Sequence, residues 1–175
     1  AFDASGQRLV FAPQSTAKPF GSLWSLDLSD SSTYALPAPH VAGSLGSDPQ
    51  DITTTSGFSV FTADDGINGR ELWRTDGSPT GTEMLLDIDP GPGSSRPSGF
   101  TAFGNSVYFR ASDGTTVGLW KTDGTTAGTV FTGISPASNL TVANGKLFMS
   151  RGSGVRNDVY VSDGTPGNTT KLLAL

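Results

Sequence analysis

Aspartate has the greatest capacity for chemistry in this sequence. It supplies 14 of the 16 acidic side chains, among them the adjacent pair Asp64 and Asp65 and the turn residues Asp76, Asp123 and Asp163, each followed by Gly. Such carboxylates could ligate a hard cation, but Ca²⁺ takes about six to eight oxygen ligands. A lone Asp that accepts backbone N–H bonds explains a tight Asp-Gly turn without metal. We therefore expect no cofactor, calcium included, and rank Asp64 and Asp65 first if a metal binds.

Catalytic constellations have little support in the sequence. The single histidine, His40, lies in a Pro- and Gly-rich loop, so a histidine metal site or a Ser-His-Asp triad would depend on that one residue. The sequence contains no Cys, G-x-S-x-G elbow, phosphate loop or dinucleotide fingerprint. A glycosidase needs two opposed carboxylates, and the many Asp residues leave that alternative open. We expect a protein that is not an enzyme.

Charge and composition narrow the choice of partner. The formal net charge is −5 and no Lys/Arg cluster offsets it, whereas a general nucleic-acid binder carries a basic stripe. No apolar run approaches the ~18 residues of a membrane span. The sequence begins at Ala1 rather than at Met, which favours a processed, exported protein. We expect a carbohydrate or protein ligand, no nucleic acid and no membrane insertion.

Four segments of the chain repeat in register. They align on Val10, Val60, Tyr108 and Phe148, which are separated by 50, 48 and 40 residues. An aromatic residue follows each anchor, and an apolar residue lies eight positions before each one. The aromatic row is Trp24, Trp73, Trp120 and Tyr160, and the apolar row is Phe2, Ile52, Phe100 and Leu140. Three rows with a common spacing indicate four copies of one structural unit.

Each unit has room for four strands. The third unit alternates apolar and polar residues between turn signals over 99–104, 106–111, 119–122 and 129–134, which is typical of an antiparallel meander. Four-stranded repeats of ~40–50 residues predict an all-β fold, namely one β-propeller domain over 1–175 with four four-stranded blades. A β-sandwich or a solenoid is the alternative. The predicted blades span approximately 1–38, 48–89, 97–134 and 137–175.

Two of the units resemble a known repeat family. The segments ELWRTDGSPTGTEMLLDI (71–88) and GLWKTDGTTAGTVFTGI (118–134) are similar to the ELWxxDGT repeat of large, often exported bacterial proteins. The segment DVYVSDGTPGNTTKLLAL (158–175) matches in part, and SLWSLDLSD (22–30) lacks the Asp-Gly-Thr turn. The resemblance covers most of the chain. It implies a propeller-like repeat in a secreted or cell-surface protein, and it implies no reaction.

The aromatic row and the turn aspartates have structural roles in this interpretation. A large aromatic residue on the third strand of each blade would wedge between neighbouring sheets and bury on the order of 150–250 Å². The residues to which we assign structural roles are Trp24, Trp73, Trp120, Tyr160, Asp76, Asp123 and Asp163.

The long, varied loops indicate where a partner binds. In a propeller, the connections from strand two to strand three and from the last strand to the next blade emerge on one side, here called the long-loop face. Function generally lies on variable loops over a rigid scaffold. The candidate binding residues on this face are Asp64, Asp65, Arg70, Arg96, Asp113, Arg151 and Arg156.

The predicted function is that of a non-catalytic, lectin-like binding module that holds a carbohydrate or protein partner on the long-loop face. The alternatives are a structural repeat unit of a larger cell-surface protein, half of an eight-bladed ring, and a carboxylate-dependent hydrolase. Four whole blades can close within one chain or between two chains. The bulky aromatic row, which can wedge the sheets strongly, favours the four-bladed monomer over the eight-bladed homodimer.

Overall fold

The computed structural model of the chain describes residues 7–12, 23–36, 48–55, 57–135, 138–151, 158–164 and 167–173. Within these ranges every regular element is a β-strand, which confirms the all-β class. They contain no helix that is long and apolar enough to cross a membrane. Fifteen strands form four antiparallel sheets, and each sheet consists of strands that are consecutive in sequence.

The four sheets follow one another along the chain. Sheet one contains β1 (Arg8–Phe11), β2 (Leu23–Asp27) and β3 (Thr33–Leu36). Sheet two contains β4 (Gln50–Thr54), β5 (Ser59–Asp64), β6 (Arg70–Thr75) and β7 (Glu83–Leu86). Sheet three contains β8 (Ser98–Phe103), β9 (Ser106–Ser112), β10 (Val117–Thr122) and β11 (Val130–Ile134). Sheet four contains β12 (Ser138–Ala143), β13 (Lys146–Arg151), β14 (Asp158–Ser162) and β15 (Thr169–Leu173).

Sheets two, three and four are therefore the four-stranded meanders that the repeat predicts. The strand that the sequence predicts around Phe2, as the first of unit one, lies outside the described residues. In sheet three the observed strands agree with the predicted segments to within two residues at each end.

The first strand of each of sheets two, three and four, which we call the inner strand, begins with a bulge at the same position of the repeat. The pairing register shifts there, and the residue before the member of the apolar row takes a positive φ: 56° at Asp51, 66° at Gly99 and 52° at Asn139. Asp, Gly and Asn are the residues that adopt this left-handed backbone most easily. Because a bulge increases strand twist locally, it turns the start of each inner strand at the long-loop end of the sheet.

The hydrophobic core lies between successive sheets. Trp73 of sheet two is 2% exposed and clusters with Val10, Leu23 and Leu36 of sheet one. Its indole N–H donates to the carbonyl oxygen of Ala63 at 3.1 Å. These contacts agree with an aromatic side chain that wedges between neighbouring sheets.

The next two contacts between sheets repeat this arrangement. Trp120 of sheet three, 9% exposed, clusters with Val60 and Leu72 of sheet two. Partly buried Tyr160 of sheet four packs against the cluster that contains Tyr108. None of the three clusters joins a described residue of sheet one to one of sheet four.

The Asp-Gly turns are stabilised by their own side chains. One carboxylate oxygen of Asp76 accepts hydrogen bonds from the amide and the hydroxyl of Ser78, at 2.8 and 2.6 Å. Asp123 accepts the same two bonds from Thr125, at 3.0 and 2.7 Å. Asp163, which follows β14 in sheet four, accepts a hydrogen bond from the side-chain amide of Asn168 at 3.0 Å. Each of these carboxylates thus accepts hydrogen bonds from residues of its own turn.

The glycine of each turn also lies against the preceding sheet. A Cβ atom at Gly124 (φ 88°) would be 2.6 Å from the ring of Phe58, and one at Gly164 (φ 86°) would be 2.6 Å from the hydroxyl of Tyr108. The Arg74 guanidinium donates to the Gly124 carbonyl at 2.7 Å. Glycine is required here both for the backbone conformation and for the close approach of two sheets.

Candidate functional site

A buried carboxylate fixes the loop that connects sheets two and three. Glu71, at the start of β6, is 0% exposed. One carboxylate oxygen accepts the Ser95 amide at 2.7 Å, and the other accepts the Ile88 amide at 2.9 Å and the Ser95 hydroxyl at 2.5 Å. Burial raises the pKa of Glu71, and the hydrogen bonds from Ser95 and Ile88 offset part of that rise. Glu71 therefore ties both ends of this loop to sheet two.

The same loop is bonded to sheets on both sides. The Arg70 amide donates to the Ser94 hydroxyl at 3.0 Å, and the Arg96 amide donates to the Arg70 carbonyl at 3.2 Å. On the other side, the Ser112 amide at the end of β9 donates to the Ser95 carbonyl at 2.9 Å. This loop, residues 87–97, is thus hydrogen-bonded to two sheets, and we call it the strap. It presents an exposed Arg96 at a positive φ of 48°.

Beyond this strap, a cleft of about 390 Å³ opens between the inner strands of sheets three and four. We call it the Arg110 cleft. It combines a cationic guanidinium, hydroxyl groups, a carboxamide and two apolar walls. Its lining residues are Ser98, Gly99, Phe100, Thr101, Arg110, Ser138, Asn139 and Leu140.

Strand pairing places Arg110 at the mouth of this cleft. On β9 it lies directly opposite Ser98, the first residue of β8, and it is exposed. The facing side of the cleft is held by Asn139, whose amide group donates to the Ser150 hydroxyl at 2.9 Å. A guanidinium at such a site can bind a carboxylate through two parallel N–H···O bonds.

Sequence reasoning did not select Arg110, although the repeat contains a signal for it. Two residues after each anchor stand Ala12, Thr62, Arg110 and Ser150. Only the third unit has a charge at this position. A comparison of the four units at each position, rather than of the anchors alone, would have found it.

A second cleft, of about 480 Å³, occupies the corresponding place between sheets one and two. Its described lining residues are Val10, Phe11, Ala12, Pro49, Gln50, Asp51 and Ile52, and none of these is a cation. The nearby guanidinium of Arg70 is committed elsewhere. It donates to the Asp48 carbonyl and carboxylate, both at 2.8 Å, and to the Thr62 hydroxyl at 3.1 Å.

The adjacent acidic pair forms a turn rather than an open cluster. Asp65 is 8% exposed, and its carboxylate accepts the Ile67 and Asn68 amides at 2.8 Å each and the Asn68 side chain at 2.7 Å. Asp64 accepts the Gly66 amide at 2.7 Å. Burial raises the pKa of Asp65, but the hydrogen bonds from Asn68 and Ile67 outweigh it and leave the pKa below its ordinary value.

In the part of the chain that the structure describes, no three side chains of the His, Cys, Asp and Glu types come together as a metal would need. Asp64 and Asp65 belong to that part of the chain, whereas the loop around His40 lies outside the described residues.

Two more of the candidate binding residues serve internal contacts. Asp113 accepts the Thr116 amide at 2.6 Å and the Thr115 hydroxyl at 2.7 Å, and these bonds hold the pKa of its carboxyl below the ordinary value. The Arg151 guanidinium donates to the Ser135 carbonyl at 2.9 Å and lies 4.8 Å from the centre of the Tyr160 ring.

Arg156 lies outside the described residues. Of the candidate binding residues that the structure does describe, Arg96 is the one whose charged group forms no hydrogen bond to another described residue and which is exposed. The structure therefore adds Arg110 to Arg96 as the cations that face solvent around the strap.

No protein-family model and no curated protein sequence matches the chain. Among solved structures, the chain is similar to one in a nidogen/laminin complex, with a TM-score of 0.51, 15% identity, and coverage of 95% of this chain and 61% of that chain. It is also similar to TolB from Acinetobacter baumannii, with a TM-score of 0.54, 15% identity, and coverage of 99% and 42%.

Both similar structures are propeller-like, and the likeness concerns the fold alone. The chain spans less than two thirds of the length of either one. The four antiparallel sheets and their stacking in chain order are therefore of the propeller type.

Proposed function

We propose that the chain is a non-catalytic binding unit of an exported protein. Its four sheets are blades of a closed propeller, and a carbohydrate or protein partner binds on the long-loop face in the Arg110 cleft. The observation that carries the proposal is the cleft itself: an exposed guanidinium beside hydroxyl, carboxamide and apolar groups, next to a strap that is hydrogen-bonded to Glu71.

The chemistry of the cleft defines the ligand more closely. Arg110 pairs best with a carboxylate, which an acidic sugar or an acidic protein side chain supplies. Ser98, Ser138 and Asn139 offer hydrogen bonds to hydroxyl or amide groups, and Phe100 supports the apolar face of a sugar ring or side chain. The partner is therefore an acidic glycan or an acidic protein segment.

Four of the described carboxylates take part in internal hydrogen bonds, which supports a protein without catalytic activity. Those of Asp64, Asp65 and Asp113 accept amide hydrogen bonds within their own turns, and Glu71 is enclosed by the strap. A carboxylate-dependent hydrolase would need two such groups aimed at a substrate. This alternative has no comparable supporting contact.

The proposal is tested by probing arrays of acidic glycans and acidic peptides with the labelled protein. We expect Arg110→Ala to weaken binding about tenfold or more, because a hydrogen bond to a charged group contributes roughly 1.5–3 kcal/mol. Lys121→Ala, in the same sheet but next to the Asp-Gly turn, is the matched control and retains affinity. Binding that survives Arg110→Ala, or no binding on either array, contradicts the proposal.

A further inference from the structure

Among the described residues, the apolar side chains on the outer face of sheet four lack the cover that their equivalents in sheets one and two have. Leu36 lies eight residues after Leu28, and Leu85 lies eight residues after the turn glycine Gly77. They are 2% and 4% exposed, because the next sheet packs on them. Leu172 is the matching residue of sheet four and is 55% exposed. Its neighbours on that face, Phe148 and Val159, are partly exposed. The Leu contact joins sheet one to sheet two and sheet two to sheet three, whereas sheet three has Thr132 at this position. In sheet four, the equivalent Leu172 is not covered in this way.

Sheet one differs from the other sheets at the residue that makes this contact. Its turn retains the usual hydrogen bonds, since Asp27 accepts the Ser29 amide at 2.9 Å and the Ser29 hydroxyl at 2.6 Å. At the position of Gly77, Gly124 and Gly164, however, stands Leu28. Leu28 is 48% exposed. The turn of sheet one therefore presents an apolar side chain at the position where the other three turns have glycine.

Sheet four has a pocket where that side chain would go. The turn glycine of sheet four, Gly164, approaches Tyr108 and Phe103 of sheet three. In the two earlier turns, Gly77 approaches Arg8 and Ser25 of sheet one, and Gly124 approaches Phe58 of sheet two. The equivalents of these residues in sheet four are Lys146 and Val161. They line an open pocket of about 300 Å³ together with Ser162, Asp163, Gly167, Asn168 and Thr170. The turns of sheets two, three and four need no such pocket in the preceding sheet, because they have glycine at the position of Leu28.

We infer that Leu28 of one copy of the chain inserts into the Lys146–Val161 pocket of a second copy. The proposal rests on the proposed propeller and names how its ring closes. Two copies related by a two-fold axis make this contact twice, which joins both open ends into a ring of eight sheets. Within one chain the structure leaves Leu28 exposed and the pocket open.

Charge supports the same partner. The turn that carries Leu28 has a carboxylate at Asp30, whereas that of Asp27 is already paired with Arg8 at 3.4 Å. Lys146 is an exposed cation that lines the pocket. Asp163 also lines the pocket and opposes the approaching turn, so the apolar contact of Leu28 contributes most of the attraction. The same contact would cover Trp24, which is partly exposed although Trp73 and Trp120 are buried.

Light scattering over a concentration series tests this inference. We expect a species of twice the chain mass that dissociates on dilution. Leu28→Asp should raise the dimer dissociation constant by about a hundredfold to ten-thousandfold, since burial of a Leu side chain is worth ~1.5–3 kcal/mol and the dimer buries two of them. Lys146→Glu should raise it by a smaller factor. Ile67→Asp is the control, because Ile67 is 63% exposed on the long-loop face, and it leaves the dimer intact.

Trp24 provides a second measurement that does not depend on mass. Because Trp73 and Trp120 are buried, iodide quenching of the unchanged chain reports mainly on Trp24. Dimerisation should shield the Trp24 indole from iodide, and Leu28→Asp should restore quenching. A monomer at every concentration overturns the inference, as does a dimer unaffected by Leu28→Asp. A monomer with shielded Trp24 also overturns it, in favour of closure within one chain. None of these results affects the Arg110 cleft, which is formed within one chain.

Discussion

The phenolic hydroxyl of Tyr108, on β9, donates a 2.7 Å hydrogen bond to the carbonyl oxygen of Gly164, 56 residues further along the chain. Burial raises the pKa of Tyr108, and the charge of Asp163 adds to the rise, so the phenol keeps its proton at neutral pH. This bond joins the core of sheet three to the turn of sheet four. It shows how the turn of one sheet is fitted to the preceding sheet.

Tyr108→Phe tests the contribution of this bond. The ring and its packing against Phe103 remain, and only the hydroxyl is lost. We expect the free energy of unfolding to fall by about 0.5–1.5 kcal/mol, the usual net value of one hydrogen bond. Urea denaturation measures it. An unchanged midpoint would mean that water replaces the phenol at Gly164 without cost.

Gly124→Ala tests the close approach of sheets two and three. The added Cβ would be 2.6 Å from Phe58, and the φ of 88° is itself unfavourable for Ala. Gly133→Ala is the matched control, because Gly133 has a φ of 78° with no atom near its Cβ. We expect about 1–2 kcal/mol of destabilisation for Gly133→Ala and a further ~1–3 kcal/mol for Gly124→Ala. Equal losses would show that the glycine serves backbone conformation alone.

Glu71→Gln should loosen the strap on the long-loop face. An amide NH₂ replaces one oxygen and must face a backbone N–H of Ser95 or Ile88, which we expect to cost about 1–3 kcal/mol. Glu83→Gln, whose carboxylate is 58% exposed and paired with Arg74, is the control and should change stability by less than about 1 kcal/mol. Hydrogen exchange of the strap amides provides the local measurement.

The pKa of Glu71 sets the sign of the pH dependence. Because the pKa in the folded chain is raised above the ordinary value of 4.5, the stability linked to this group is fully present below that value. It is lost as the pH rises through the folded pKa. We expect the wild type to lose stability relative to Glu71→Gln between acid and neutral pH. A gain over that range would mean that the pKa is lowered.

Removal of divalent cations should leave the protein unchanged. The turn aspartates are occupied by amide and hydroxyl donors, as Asp76 and Asp123 show. We expect the same Tm in calcium and in a chelator. A calcium-dependent rise in Tm would assign a metal to the aspartates, beginning with Asp64 and Asp65, because a ligand that binds only the folded state raises its stability.

The sequence predicted the sheets well because the repeat displays their periodicity directly. Val10, Val60 and Tyr108 were aligned from spacing alone, and all three are buried between sheets. The spacing does not show which sheets are covered on both faces. Phe148 has the same place in the repeat and is partly exposed, since burial depends on what packs against a sheet rather than on its own residues.

The candidate site was harder to predict from the sequence, for a physical reason. Charged loop residues were selected, but loop carboxylates such as Asp113 are consumed by their own turns. Arg110 lies within a strand and reaches the cleft only because of the pairing with Ser98 and the bulge at Gly99. In the sequence, Glu71 is the first residue of the ELWxxDGT-like segment and one of only two Glu residues, and neither feature predicts that it is buried. Its burial follows from the strap, which sequence patterns do not describe.

Chemical-shift mapping of the bound state tests the central claim most directly. The ¹⁵N-labelled protein is titrated with the strongest acidic glycan or peptide from the arrays. The account predicts shifts confined to the lining of the Arg110 cleft, at 98–101, at Arg110 and at 138–140, with the turns at 76–82 and 123–129 unchanged. Shifts centred on those Asp-Gly turns, with the cleft unaffected, would contradict a binding site on the long-loop face.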